Sequence, residues 1–255
     1  MPELFTDPSF IVLLIAGACA GGFINGLAGF GTALFTLGFW LQIMPPLQAV
    51  SIIVILSAVT GFQGLWVVRG AIRQNPRRLA VFLLPGIIGI PLGISGLSFI
   101  DGGTLKLIIG GFMFGYGLFF MMRKNLPTMK TPPVFADGLV GLTGGVLGGL
   151  ASLSGALPTF WLSLRDWPKS EIRAVLQPFN MTILGLTACG FWYQGVYDRT
   201  TLIITGLMLP VSILCAQFGI ILFRHLTDEQ FRRGLMFLMF VSGTFIIASS
   251  LSDLH

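Results

Sequence analysis

Two short runs hold the residues of this sequence best suited to recognising a ligand. The first reads Asn25-Gly26-Leu27-Ala28-Gly29-Phe30-Gly31-Thr32, and the second Gly148-Gly149-Leu150-Ala151-Ser152-Leu153-Ser154-Gly155, with Pro158 just beyond. Thr32, Ser152 and Ser154 supply hydroxyl donors, and Gly26, Gly29, Gly31, Gly149 and Gly155 let the backbone approach a ligand closely. If a helix starts near Gly31-Thr32 and another near Ser154-Gly155, each start presents free N–H groups and the positive end of a helix dipole. Two such starts converging on one point favour an anion. The competing reading is that Gly and Ser only permit tight helix packing.

Other polar residues fall inside apolar stretches. Gln177 and Asn180 lie one turn apart around Pro178, and Gln63 and Gln217 are also internal. Amides at such depth serve binding or interhelical hydrogen bonding, and the sequence does not separate the two. Arg173 stands where an apolar segment begins. It reads as an interfacial anchor before it reads as a cation contacting a substrate.

What is missing narrows the chemistry. All ten carboxylates fall at segment ends or in loops, and His225 and His255 are peripheral, so no buried acid, base or proton relay is expected. Cys19, Cys189 and Cys215 have neither metal-ligand nor CxxC spacing and read as small core residues. There is no P-loop. No catalytic residue, metal site or cofactor is expected, and an intramembrane enzyme is disfavoured.

The surrounding elements must be membrane helices. Of 255 residues, 54% are hydrophobic and 10% charged, and the mean hydropathy is +0.88. Soluble domains carry about 25% charged residues, so lipid is the solvent for most of this surface. The longest polar stretch, 123–133, is too short to form a core. The net charge of +5 does not indicate nucleic acid, because Lys and Arg sit at the ends of apolar segments. Glu3 and Asp7 precede the first segment with no basic residue, so no cleavable leader is expected.

Eight apolar segments can be marked, at 9–43, 47–68, 79–100, 104–122, 134–164, 172–195, 200–223 and 231–251. Segment 9–43 as one straight helix would reach about 52 Å, well beyond the bilayer core. Segment 134–164 is similarly long, and both are interrupted by the glycine runs. Each is therefore expected to be a re-entrant hairpin of two half-length helices. Charge supports this. If every segment crossed, the 15 Lys and Arg would divide 8 to 7; with two hairpins they divide 13 to 2, leaving Lys106 and Arg199 alone on the outer side. Both termini are then periplasmic.

Each half now holds one hairpin and three crossings, an odd number, so the halves must be inverted. At an offset of 123, Gly21, Gly22, Gly26, Leu27, Ala28, Ala33, Leu34, Thr36, Leu41 and Pro45 recur as Gly144, Gly145, Gly149, Leu150, Ala151, Ala156, Leu157, Thr159, Leu164 and Pro168. Roughly two such identities are expected by chance. At an offset of 126 the match continues through Gly93 with Gly219 and Ile94 with Ile220. The expected fold is an all-α polytopic membrane protein of two inverted repeats, 1–126 and 134–255, joined by a cytoplasmic linker at 127–133. Paired broken helices in inverted repeats point to a binding site at mid-membrane.

The first glycine-rich segment, its restatement as GGVLGGLASLSGALP, the eight apolar segments and the length resemble the TauE/SafE sulfite exporter family over nearly the whole chain. The resemblance implies a bacterial inner-membrane permease, acting in export, for a small sulfur-containing anion such as sulfite, sulfoacetate or another organosulfonate. The expected partners are the lipid bilayer and that anion, with no nucleic acid. The expected mechanism is alternating access, against an anion channel or a non-transporting assembly partner. Neither the anion, the coupling ion nor the oligomeric state follows from the sequence.

Overall fold

The computed structural model describes residues 7–96 and 133–252, with isolated positions between 107 and 118. Predicted segment 104–122 and linker 127–133 therefore lie almost wholly outside the described residues. The described elements are all helical: α1 (Pro8–Ala28), α2 (Thr32–Trp40), α3 (Pro46–Gln74), α4 (Pro76–Gly96), α5 (Val134–Ala151), α6 (Ala156–Ser163), α7 (Lys169–Tyr193), α8 (Arg199–His225) and α9 (Asp228–Ser252). Six of them, α1, α3, α4, α5, α7 and α8, are long and apolar enough to cross a membrane.

Both overlong segments break at the glycine runs. Helix α1 ends where Gly29 takes a left-handed φ of 83° and its N–H closes on the Asn25 carbonyl at 2.8 Å. Gly31, with φ of 93°, starts α2. A β-carbon disfavours such angles, which is why the turn falls on glycine. Helix α5 ends at Ser152, left-handed with φ of 59°, whose N–H bonds the Gly148 carbonyl at 3.0 Å. The chain then doubles back. Thr36 Oγ1 donates to the Gly17 carbonyl at 2.9 Å and Trp40 Nε1 to the Leu14 carbonyl at 3.0 Å, so α2 runs antiparallel along α1. Likewise Trp161 Nε1 on α6 donates to Asp137 near the start of α5, at 2.6 Å.

The arms are unequal. Helices α1 and α2 have 21 and 9 residues, α5 and α6 18 and 8, so the expectation of half-length arms is corrected. The glycine-rich breaks sit past the middle of each segment, and the long arm has the length of a full span.

Helices α3 and α7 pack against each other, flanked by two further pairs, α1 on α8 and α5 on α4. The flanking pairs use the same contacts. On one side, β-carbons on Gly22 and Gly26 would run into the backbone of Ser212 and Ala216, and one on Gly219 into Phe23 and Leu27. On the other, Gly145 meets Gly86, Gly149 meets Ile90, and Gly93 meets Val146. The second set is the first shifted by 123 in the hairpins and by 126 in the partner helices. Small residues let backbones touch where no hydrophobic driving force exists between helices in lipid.

The two ends of the bundle differ. At one, Arg78 pairs with Glu171, Arg165 with Asp137, and Lys169 Nζ donates to the Phe223 carbonyl at 2.9 Å and to that of Leu226. At the other, Tyr197 donates to the Ser51 carbonyl at 3.1 Å. The helix ends expected on the basic side thus share one face. The outer surface is apolar: Ile88 is 68% and Phe218 65% exposed, while Asn25 and Arg173 are buried. That inversion of the water-soluble pattern fits a lipid-facing exterior.

Two sequence expectations are overturned. Asp137 is buried within its pair with Arg165, because α6 folds over the start of α5 and brings Trp161 and Arg165 to it. The cysteines are not core residues: Cys189 is exposed, and Cys19 and Cys215 are half-buried. A lipid-facing surface accepts a thiol that water would not reward, so hydrophobicity did not place these side chains.

Candidate functional site

The first hairpin tip packs against the middle of α3 and the first half of α7. Asn25 is held to α3, its Nδ2 donating to the Ser57 carbonyl at 3.1 Å and to Thr60 Oγ1 at 2.7 Å. Gln177 reaches α3 from the other direction, its Nε2 donating to the Gly61 carbonyl at 3.0 Å. Gln177 lies eight residues into α7, about 12 Å along it. The tip therefore meets α3 near its centre and α7 about a third of the way along.

Arg173, one turn before Gln177, is fully buried. Its Nε donates to Gln177 Oε1 at 3.2 Å and its Nη1 to the Leu27 carbonyl in the last turn of α1 at 3.3 Å. The guanidinium stacks over Phe223 at 4.3 Å, and Lys169 lies over the same ring at 4.9 Å. Nη2 is buried and makes no hydrogen bond. Space for the group comes from Gly64: a β-carbon there would stand 2.9 Å from Nη2. The interfacial-anchor reading of Arg173 is thus corrected. It starts near the membrane surface in sequence, but its side chain points inward to a hairpin tip that the sequence could not place beside it.

The second tip joins α7 one turn deeper. Ser154, fully buried, donates its hydroxyl to Asn180 Oδ1. Phe30, between the two left-handed glycines of the first tip, lies against Gly155 at the second, where a β-carbon would stand 2.8 Å from its Cγ. The two tips therefore touch.

Several buried polar atoms here lack a protein partner: Thr32 Oγ1, Ser152 Oγ, Asn25 Oδ1, Ser57 Oγ and Arg173 Nη2. Neither Gly31 nor Gly155 has a side chain to cap its helix, and the first N–H of α6, on Ala156, bonds the Leu153 carbonyl at 3.2 Å. Buried polar groups are rarely left without a hydrogen-bond partner.

The expectation of two converging positive helix ends is corrected. Each tip brings the carboxyl end of one helix, at Ala28 or Ala151, as well as the amino end of the next. Their partial charges, roughly half a unit each and opposite in sign, cancel pairwise. The buried cation beside the first tip is Arg173, which bonds the Leu27 carbonyl. No carboxylate among the described residues pairs with it. An uncompensated buried charge costs several kcal/mol.

Of the residues singled out from sequence, Asn25, Gly29, Arg173 and Gln177 come together, Ser154 and Asn180 pair, and Gly155 joins the tips. Thr32 and Ser152 are buried beside the turns. Gly26 and Gly149 instead serve helix packing, against Ala216 and Ile90. Gln63 is half-buried, and no hydrogen bond ties it to either tip. Ser57, Thr60, Gly61, Gly64, Phe30 and Phe223 were not anticipated. The first four had a signal: spaced by three, four and seven residues, they form one stripe of small and polar side chains on α3.

The family model described as sulfite exporter TauE/SafE matches residues 13–246. No curated protein and no solved structure matches the chain.

Proposed function

Because the chain belongs to the sulfite exporter TauE/SafE family, we propose that this multi-pass membrane protein is a secondary transporter of a small sulfur-containing anion, sulfite or an organosulfonate. The anion binds between the hairpin tips at mid-membrane. The observation that carries this reading is Arg173, a fully buried guanidinium with one amino group unpartnered, bonded to the last turn of α1 at the first hairpin tip. A fixed cation and convergent donors in a dry setting suit an anion with several acceptor oxygens.

The chain is read as two inverted repeats in the bacterial inner membrane, with the Arg78, Arg165 and Lys169 face cytoplasmic and both termini periplasmic. The paired contacts of α1 on α8 and α5 on α4, related by the sequence offsets, support the repeat. The hairpins approach from opposite faces, and the contact of Phe30 with Gly155 closes the way between them. Rocking one hairpin with its partner helices against the other opens the site to each side in turn. That closure favours alternating access over a continuous channel. No residue is assigned to catalysis, and the transport direction is export, on the family's precedent.

The test is counterflow in proteoliposomes loaded with sulfite or methanesulfonate. Wild-type protein exchanges label above empty vesicles, and Arg173→Gln and Ser154→Leu lose most of that exchange while still inserting. Undiminished exchange by both variants, or none by wild type, removes the reading.

A further inference from the structure

Resting on that reading of the site, we propose that the end of the pathway opposite Arg173 is closed by an apolar plug, formed by Val50 and Val54 of α3 with Leu184 and Phe191 of α7. The two closures of the transporter are then unlike. One holds a buried cation, and the other is built of hydrocarbon.

Helices α3 and α7 run antiparallel. Gly64 lies against Arg173 and Gly61 against Gln177, whereas the Ser51 carbonyl accepts from Tyr197, just past the far end of α7. Along this seam the side chains change character in order. Arg173, Gln177 and Asn180 occupy successive turns of α7, and Ser57 and Thr60 hold Asn25 from α3. About one turn beyond Asn180 stands Leu184, and about one turn before Ser57 stands Val54. Val50, Val54, Leu184 and Phe191 are all buried, and they form a hydrophobic cluster distinct from the main core. Leu37 of α2 and Ile94 of α4 pack against it. The cluster therefore lies where the central pair meets one helix from each flanking group. Those are the surfaces that part when the flanking groups rock.

The offset of 123 between the halves sharpens the contrast. It carries Val50 to Arg173, Val54 to Gln177 and Ser57 to Asn180. The buried guanidinium and amide at one end thus have valines as their counterparts at the other. An apolar constriction excludes water, and an anion entering one sheds its hydration with no donor to replace it. With these four side chains packed together, the way from the Tyr197 end to Ser57 and Asn180 is dry. At the other end the seam holds an unpartnered donor, Arg173 Nη2.

The test places a reporter thiol behind the plug, as Ser57→Cys in full-length protein carrying Cys19→Ala, Cys189→Ala and Cys215→Ala. A membrane-impermeant maleimide is applied to one face of the vesicles at a time. Val50→Thr with Val54→Thr keeps nearly the same volume and adds hydroxyls that hold water. Labelling from the Tyr197 face is expected to quicken about tenfold in this variant, with labelling from the Arg173 face unchanged. Leu184→Asn should act likewise from α7, and Leu184→Met should not. The plug is overturned if neither polar variant speeds labelling from the Tyr197 face. It is equally overturned if Leu184→Met matches Leu184→Asn, or if labelling quickens equally from both faces, because each result means packing rather than apolar sealing. Labelling needs no substrate, so these outcomes leave counterflow untouched. Face-selective labelling alongside failed counterflow removes the transport reading and keeps the barrier.

Discussion

The ring of Phe30, at the turn of the first hairpin, lies against the backbone of Gly155, at the start of the short arm of the second. Both residues are buried, and no side chain at Gly155 fits without moving the other tip. Gly155→Ala is expected to push the tips apart and to reduce anion flux at least tenfold with insertion unchanged. Adding Phe30→Gly removes the three nearest atoms, so the double variant should recover part of the flux. Simple additivity of the two losses would show that the contact is not coupled to transport.

Gly64 leaves the room that Arg173 and Gln177 fill. Gly64→Ala should displace both groups and raise the KM for the anion about tenfold, equivalent to about 1.4 kcal/mol. Gly70, two turns on in the same helix, faces open space, with nothing within 4 Å of where a β-carbon would stand. Gly70→Ala should therefore leave KM alone and slightly stabilise α3. Equal effects of the two substitutions would mean that the first acts through general helix disturbance.

The pair of Asp137 and Arg165 clamps the second hairpin shut at its open end. Asp137→Ala removes the carboxylate that pairs with a buried guanidinium. A loss of about 3 kcal/mol is expected, read as a lower unfolding midpoint in detergent. The double variant Asp137→Leu with Arg165→Met should lose much less. If the double variant is as unstable as the single one, packing rather than charge holds this end.

At the opposite end of the bundle, Asp198 caps α8 by accepting from the Thr201 N–H at 2.8 Å. Hydrogen bonding from Thr201, through its hydroxyl and its backbone, holds this carboxyl below its ordinary value. A group whose folded value is lowered stabilises fully above its unfolded value, and that contribution is lost as pH falls through the folded value. Asp198→Ala should cost about 1 kcal/mol at neutral pH. The difference from wild type should shrink toward acid pH, and a constant difference would show that ionisation contributes nothing to the cap.

By itself the sequence determined the membrane class, the helical character of the described segments and both break points. These follow from local quantities: hydropathy over a span, and glycine dense enough to end a helix wherever it falls. It also revealed the repeated pattern that the packing contacts follow, and it singled out Asn25, Ser154, Gln177 and Asn180, which the fold brings to the hairpin tips, because amides and hydroxyls inside apolar runs stand out in one dimension. What it left open depends on which side chain another helix brings opposite. The inward course of Arg173, the burial of Asp137 beneath Trp161 and Arg165, and the partial exposure of Cys19 and Cys215 were decided only when α7 met α1, α6 folded over α5, and α1 met α8. The same holds for the electrostatics. A linear reading sees two positive helix starts, whereas the folded tips place a negative helix end beside each, and the buried cation Arg173 lies beside the first tip.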